Sequence, residues 1–169
     1  SYAIEQSPKT PEIILELSAF LRYMLYECSA KYVSLPKELE QMGNYIRLNE
    51  LQIEERGQVE YHVEDIASGH LIAPLILIVF IENAFKHSTG SQSDNIRIVV
   101  QVKMEGPNTL HFHCSNSYLP EINTERLDRG IGLANARKRL DLLYPNRYRL
   151  DIEKSDQEYQ VDLYLELQT

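Results

Sequence analysis

The sequence predicts an α+β domain, and three observations carry that prediction. Ile96–Met104 and Thr109–Ser115 alternate apolar with polar residues on either side of Gly106-Pro107-Asn108, and Arg147–Glu153 and Tyr159–Leu167 do the same across Lys154–Glu158. Both pairs read as β-hairpins. Four further stretches carry apolar residues at helical spacing, most with a capping residue or a proline at their start. A chain of 169 residues can bury one proper core and carry a small helical appendage. The longest apolar run, Leu71–Ile81, is too short to cross a bilayer and leads into polar residues, so it suits a buried helix.

Taken in order, Thr10-Pro11-Glu12 opens the first helix with a capping hydroxyl, a first-turn proline and an acid. The helix is expected over Pro11–Ala30, with Ile14, Leu17, Leu21, Met24 and Cys28 at heptad-like spacing and Ile13, Phe20 and Leu25 widening the stripe. So wide a stripe needs apolar partners on more than one side, either within the domain or from a second copy of the chain. Ser34 and Pro36 start a second helix to about Arg56, stopped by Gly57. Val59, Tyr61 and Val63 make Gln58–Glu64 a short strand. Pro74 is placed to open a third helix that runs about four turns to Ser88. The two hairpins follow, separated by the aperiodic stretch Asn116–Arg129, which reads as a lid, and by an amphipathic helix over Leu133–Tyr144.

The net charge of −8 argues against general nucleic-acid binding. Seven basic residues nevertheless lie between Arg126 and Arg149, against Asp128 and Asp141, and such a patch needs an anionic partner or a structural use. Cys28 and Cys114 lack metal or redox spacing and read as reduced thiols. His111 and His113 stand two apart on a strand, but with no third ligand placed by the sequence they read as one exposed strand face.

Two stretches carry possible chemistry. In IENAFKHS (Ile81–Ser88), Asn83 shares a helix face with Lys86 and with His87. A carboxamide can bind a metal ion or one of its waters, and an ammonium can meet a phosphate. The alternative is a core helix with a solvated end. In GIGLANARKRL, Gly130 and Gly132 turn directly into a helix whose first amides are free, a ready anion site. Glycines before a helix are explained as often by close packing.

Read together, LSAFLRYMLYE (Leu17–Glu27), VSLPKELEQMGNYIRLNELQIEER (Val33–Arg56), IENAFKHS and GIGLANARKRLDLLYP (Gly130–Pro145) resemble, in the same order, the sensor histidine kinases of the LytS-like class. Their ATP-binding domain is of the type shared with gyrase and Hsp90. The resemblance covers nearly the whole chain. It implies a Bergerat-type fold, a two-layer sandwich of a mixed, mostly antiparallel sheet with helices on one face, preceded by a dimerisation helix. Residues 1–32 would be the end of the dimerisation and phosphotransfer region, and 33–169 the catalytic domain. The implied reaction is transfer of the ATP γ-phosphoryl to a histidine. Asn83 would bind Mg²⁺, and Asn83 and Lys86 would act in catalysis with Glu82 and His87 beside them. Gly130, Gly132, Leu133 and Asn135 would hold the phosphates, joined by Arg137 and Arg139 unless these brace the helix instead. The implied partners are a response regulator and a second copy bound through Pro11–Ala30. The chain would be a cytoplasmic domain attached to an inner membrane only through a missing N-terminal region.

The sequence departs from the family pattern twice. CSNSYLP puts Ser115, Asn116 and Ser117 where an Asp-Asn-Gly is expected to read adenine. Asn116 would take that role at a loss of about one good hydrogen bond, roughly 1–3 kcal/mol. The family's Asn-Pro-His-Phe acceptor motif is absent, and no histidine precedes His62. The chain is therefore expected to start after its acceptor histidine and not to phosphorylate itself. A second reading is a degenerate, non-catalytic GHKL-type module that acts by dimerising or docking a partner.

Overall fold

The computed structural model describes residues 10–118 and 131–169, apart from 54, 65, 67, 68 and 93. A helical arm leads the chain: α1 (Thr10–Arg22), followed by a single π-helical turn, Tyr23–Glu27. Then come β1 (Val33–Ser34), α2 (Leu35–Glu50), β2 (Gly57–Val63), β3 (Leu71–Ile72), α3 (Ile78–Ser91), β4 (Ile96–Met104), β5 (Thr109–Ser117), α4 (Ile131–Leu143), β6 (Tyr148–Lys154) and β7 (Glu158–Glu166).

Five strands form the main sheet in the order β2-β4-β5-β7-β6. Only β2 and β4 run parallel; the other pairs are antiparallel. Alternation decides which side faces the helices. Ile96, Ile98, Val100 and Val102 of β4, Leu110, Phe112 and Cys114 of β5, and Val161, Leu163 and Leu165 of β7 are buried. They meet Phe80, Ile81, Ala84 and Phe85 of α3 and Ala136 and Leu140 of α4 in one core. The Phe80 and Phe112 rings lie 6.0 Å apart at its centre. Burial pushes the Cys114 thiol up to about 12, so it packs as a small apolar group and is no nucleophile. Cys28 is also a free thiol.

The expected α+β class and both hairpins are present, with three boundary corrections. The first helix does not run on to Ala30. It widens into the π turn at Tyr23, where the Cys28 N–H bonds to the Tyr23 carbonyl at 3.2 Å and the Tyr23 hydroxyl reaches down to Glu38. The second helix ends at Glu50, and residues 51–53, 55 and 56 are turns. Pro74 does not open the third helix. Leu75 takes a left-handed φ of 57°, which breaks the helical path, and α3 starts at Ile78. The two-residue ladder β1–β3, pairing Val33 with Ile72, was not expected from the pattern; it is too short to show alternation.

Glu38 is fully buried beneath the arm. Burial raises its pKa above that of a free carboxyl; the Tyr23 hydroxyl, the Leu75 amide and the Arg139 guanidinium pull it back only in part. A raised folded-state value means that the folded chain holds the proton more tightly than the unfolded one. Glu38 thus costs stability as pH rises through that value, and the cost vanishes below the unfolded value of about 4.3. Glu38→Gln is expected to raise the melting temperature at pH 8, with the gain closing as pH falls toward 5. Thermal melts across that range check this, and a gain that grows on acidification would contradict it.

Candidate functional site

The end of α3 carries the first candidate set. Ala84 and Phe85 anchor it in the core, which turns Glu82 and Lys86 to solvent and leaves Asn83 and His87 half-buried at the rim. The Asn83 Nδ2 atom is buried and has no hydrogen-bond partner among the described residues. Such a donor left without an acceptor costs about 1–3 kcal/mol. Directly opposite is Gly132, in the first turn of α4. A β-carbon there would stand 3.9 Å from Asn83 Oδ1 and 4.0 Å from Nδ2, so Gly132 lies at van der Waals distance from the carboxamide. The fold thereby joins the two motifs that the sequence holds some fifty residues apart.

Asn116 lies at the end of β5 on the helix-facing side, 2% exposed. Its Nδ2 donates to the Ser117 carbonyl at 2.9 Å, and the same carbonyl accepts from Ser88 Oγ at 2.9 Å. The Ser117 hydroxyl donates to Gln92 Oε1 at 2.6 Å and accepts from the Arg97 N–H at 2.9 Å. One of the two Asn116 amide hydrogens is used in this bond. Tyr159, opposite Asn116 on β7, stacks on His87 at 5.9 Å. Asn83, His87, Ser88, Asn116 and Gly132 therefore border one region.

The remaining candidates divide. Leu133 is half-buried against the core, while Asn135 and Arg137 are exposed on α4. Arg139 donates to the Pro74 carbonyl at 2.8 Å, which ties α4 to the turn before α3. Gly130 and the expected lid from Leu119 to Arg129 lie outside the described residues. Part of the basic patch has structural uses. Besides Arg139, Arg147 bonds to the Leu143 carbonyl at 3.3 Å, and Arg149 pairs with Asp151 at 2.9 Å and covers the Tyr164 ring at 4.0 Å. His111 and His113, on the helix-free face, both bond to Asp162 Oδ1, at 2.7 and 3.0 Å. Among the described residues no group of three or more His, Cys, Asp or Glu could hold a metal ion. Ser88 and Tyr159 were not marked by the sequence as site residues; the nearest signal was the place of Ser88 at the end of IENAFKHS.

The model of the histidine kinase family matches residues 1–57. Over 167 residues the chain is 28% identical to sensor protein LytS of Staphylococcus saprophyticus, a match that spans 92% of this chain and 28% of that protein. The chain is a homologue of the LytS sensor histidine kinases. The LytS homologue thus spans little more than a quarter of the length of its relative. Its fold recurs in the catalytic domain of histidine kinase ThkA, with a TM-score of 0.58 and 13% identity over 81% of this chain and 96% of that one. It recurs also in full-length ShkA in complex with AMPPNP, with a TM-score of 0.59 and 14% identity over 94% of this chain and 36% of that one. At such identities these two structures establish the fold alone, an α+β arrangement shared with those histidine kinases.

Proposed function

We propose that the chain is the ATP-binding kinase core of a bacterial two-component sensor histidine kinase. It would pass the ATP γ-phosphoryl to a histidine in a part of the protein that these residues do not include. The observation that carries this reading is the orphaned Asn83 amide beside Gly132 in the first turn of α4. A phosphate oxygen supplies the acceptor that Nδ2 lacks, and Oδ1 is then free for Mg²⁺ or its water. The donor set therefore fits a magnesium–nucleotide. Bound there, the ion would neutralise phosphate charge, which phosphoryl transfer chiefly needs besides positioning.

The chain's own residues would do the following. Gly132, with no side chain, lets phosphate approach the first amides of α4, and its partner Gly130 would extend that turn. Lys86, exposed one turn beyond Asn83, meets phosphate charge, with Glu82, His87 and Asn135 at the margin. Asn116 would accept from the adenine amino group through its carboxamide oxygen, its Nδ2 being bonded to the Ser117 carbonyl. Leu133 packs the helix in place. Arg137 stays available to anions, whereas Arg139 acts as a brace.

Residues 1–32 would belong to the dimerisation region and 33–169 to the catalytic domain. Ile14, Leu17, Leu21 and Leu25 of the arm are exposed. They form an apolar stripe that suits a second copy. Leu21→Glu is expected to shift the chain toward monomer in sedimentation equilibrium; an unchanged mass would remove the arm as the dimer contact. A response regulator would receive the phosphoryl group, and the domain would lie in the cytoplasm, attached to the inner membrane by an N-terminal region. No helix among the described residues is long and apolar enough to cross a membrane.

Asn116 in place of a carboxylate favours a second reading, a non-catalytic module that works by dimerising or docking. Calorimetric titration with Mg-ADP separates the two. Binding between micromolar and sub-millimolar supports the kinase core, and no heat up to millimolar nucleotide supports the module.

A further inference from the structure

The hydrogen bonds that close the end of β5 fix the orientation of one carboxamide. The ladder of β4 and β5 ends at the pair Ile98 and Asn116. One residue on, Ser117 is held from the end of α3 by Ser88 and by Gln92, which caps that helix. The Ser88 hydroxyl donates to the Ser117 carbonyl at 2.9 Å, and Gln92 Oε1 accepts from the Ser117 hydroxyl at 2.6 Å. The Arg97 N–H bonds to the same hydroxyl at 2.9 Å. Ser88 is fully buried, so water does not compete for its bond.

Asn116 Nδ2 also donates to the Ser117 carbonyl, at 2.9 Å. That bond decides which way the carboxamide lies. A carbonyl oxygen only accepts, so the group that faces it is the NH2. Half a turn of the carboxamide would set Oδ1 against the Ser117 oxygen, acceptor against acceptor. Asn116 is only 2% exposed, and a mismatched polar contact costs most where water is excluded. Oδ1 itself bonds to no described residue.

The two purines differ in the group such an oxygen would meet. Adenine carries an amino donor at position 6, and guanine carries an acceptor oxygen there. A carboxamide oxygen held in place accepts from the first and repels the second. A carboxamide free to turn would serve both, because its NH2 can donate to the guanine oxygen. We propose that Ser88 is a positioning residue for base specificity: by holding the Ser117 carbonyl it keeps the Asn116 carboxamide in the orientation that suits a 6-aminopurine, so that the site takes adenine nucleotides and rejects guanine nucleotides. The inference rests on the kinase-core reading above, in which Asn116 meets the base. An asparagine needs such a hold because its two branches differ; the two oxygens of a carboxylate are alike.

The test is calorimetric titration of the chain with Mg-ADP and with Mg-GDP. The parent chain is expected to prefer ADP at least about tenfold, as one well-formed base contact allows. Ser88→Ala removes one buried hydroxyl and is expected to lower that ratio about threefold or more, the size of one hydrogen bond. Ser117→Ala, which frees the same peptide from Gln92, is expected to move the ratio in the same direction, and it carries the comparison if Ser88→Ala no longer melts cooperatively. In an Asn116→Asp background, Ser88→Ala is expected to leave the ratio unchanged. Equal affinity of the parent chain for ADP and GDP overturns the proposal. So does an equal weakening of both nucleotides by Ser88→Ala, or the same change of ratio in the Asn116→Asp background. A chain that takes up neither nucleotide refutes the kinase reading and this inference with it, whereas one that binds Mg-ADP with a ratio indifferent to Ser88 and Ser117 refutes the inference alone.

Discussion

Replacing Asn83 with alanine is expected to weaken Mg-ADP binding by ten- to a hundred-fold or more while leaving the fold intact. The carboxamide would give one hydrogen bond to a phosphate and one oxygen to the metal, and a hydrogen bond to a charged group contributes about 1.5–3 kcal/mol. Each 1.4 kcal/mol is a factor of ten in Kd. The fold does not depend on this side chain. Asn83 is half-buried, its Nδ2 atom bonds to no described residue, and its removal relieves an unsatisfied donor. Asn83→Ala should therefore melt at or slightly above the temperature of the parent chain while losing the heat of nucleotide binding. An unchanged Kd would remove Asn83 from the site.

The largest expected loss of stability belongs to Gly57→Ala. Gly57 begins β2 and pairs in parallel with Ile96 of β4. A β-carbon at Gly57 would lie 2.1 Å from the Ile96 carbonyl oxygen and 2.6 Å from Ile96 Cβ. The obstacle is main chain, and it cannot turn away as a side chain would. The Ile96 N–H is itself bonded to the Arg56 carbonyl at 2.9 Å, and the Gly57 N–H to the Ile53 carbonyl at 3.0 Å. Relief therefore means parting the two strands where they begin. Overpacking in a close-packed interior costs about 1–3 kcal/mol, occasionally more, and a main-chain clash belongs at the upper end. Denaturant unfolding should show a loss of about 3 kcal/mol or more, with Mg-ADP binding retained in whatever fraction stays folded. A loss below about 0.5 kcal/mol, the size of an ordinary surface change, would show that the strands do not meet there as described.

Much of this architecture was legible in the sequence because it follows from period. Alternation at Ile96–Met104 and Tyr159–Leu167 gave strands with the correct face inward, since one face had to be buried. The apolar run ending in IENAFKHS gave a core helix with a polar end. Elements set by tertiary contact were not legible. Leu75 is a poor candidate for a left-handed backbone, and it is held there by a neighbourhood that includes Glu38, Arg139 and Tyr144, far apart in the chain. Nothing around Glu38 marks it for burial, because its reason is a tyrosine fifteen residues earlier. Gly57 read as a helix stop, whereas its use is the close approach of β2 to β4. His111 and His113 looked like an exposed face because their shared partner, Asp162, comes from another strand. At the candidate site, the sequence offered residue types and order; the meeting of Asn83 with Gly132, and the contact of Tyr159, opposite Asn116, with His87, required the fold.

The proposed site puts Asn83 against the metal of a bound nucleotide. Its most direct test is an asparagine-labelled sample of the chain, observed by NMR through its side-chain amide signals while ADP with trace Mn²⁺ is added. Mn²⁺ takes the same kind of oxygen ligands as Mg²⁺ and broadens nearby signals. The Asn83 amide is expected to be lost first, only when ADP is present, while Asn44 and Asn108 persist. An Asn83 signal that survives saturating Mn-ADP, or broadening that centres on the His111–His113 face instead, would contradict it.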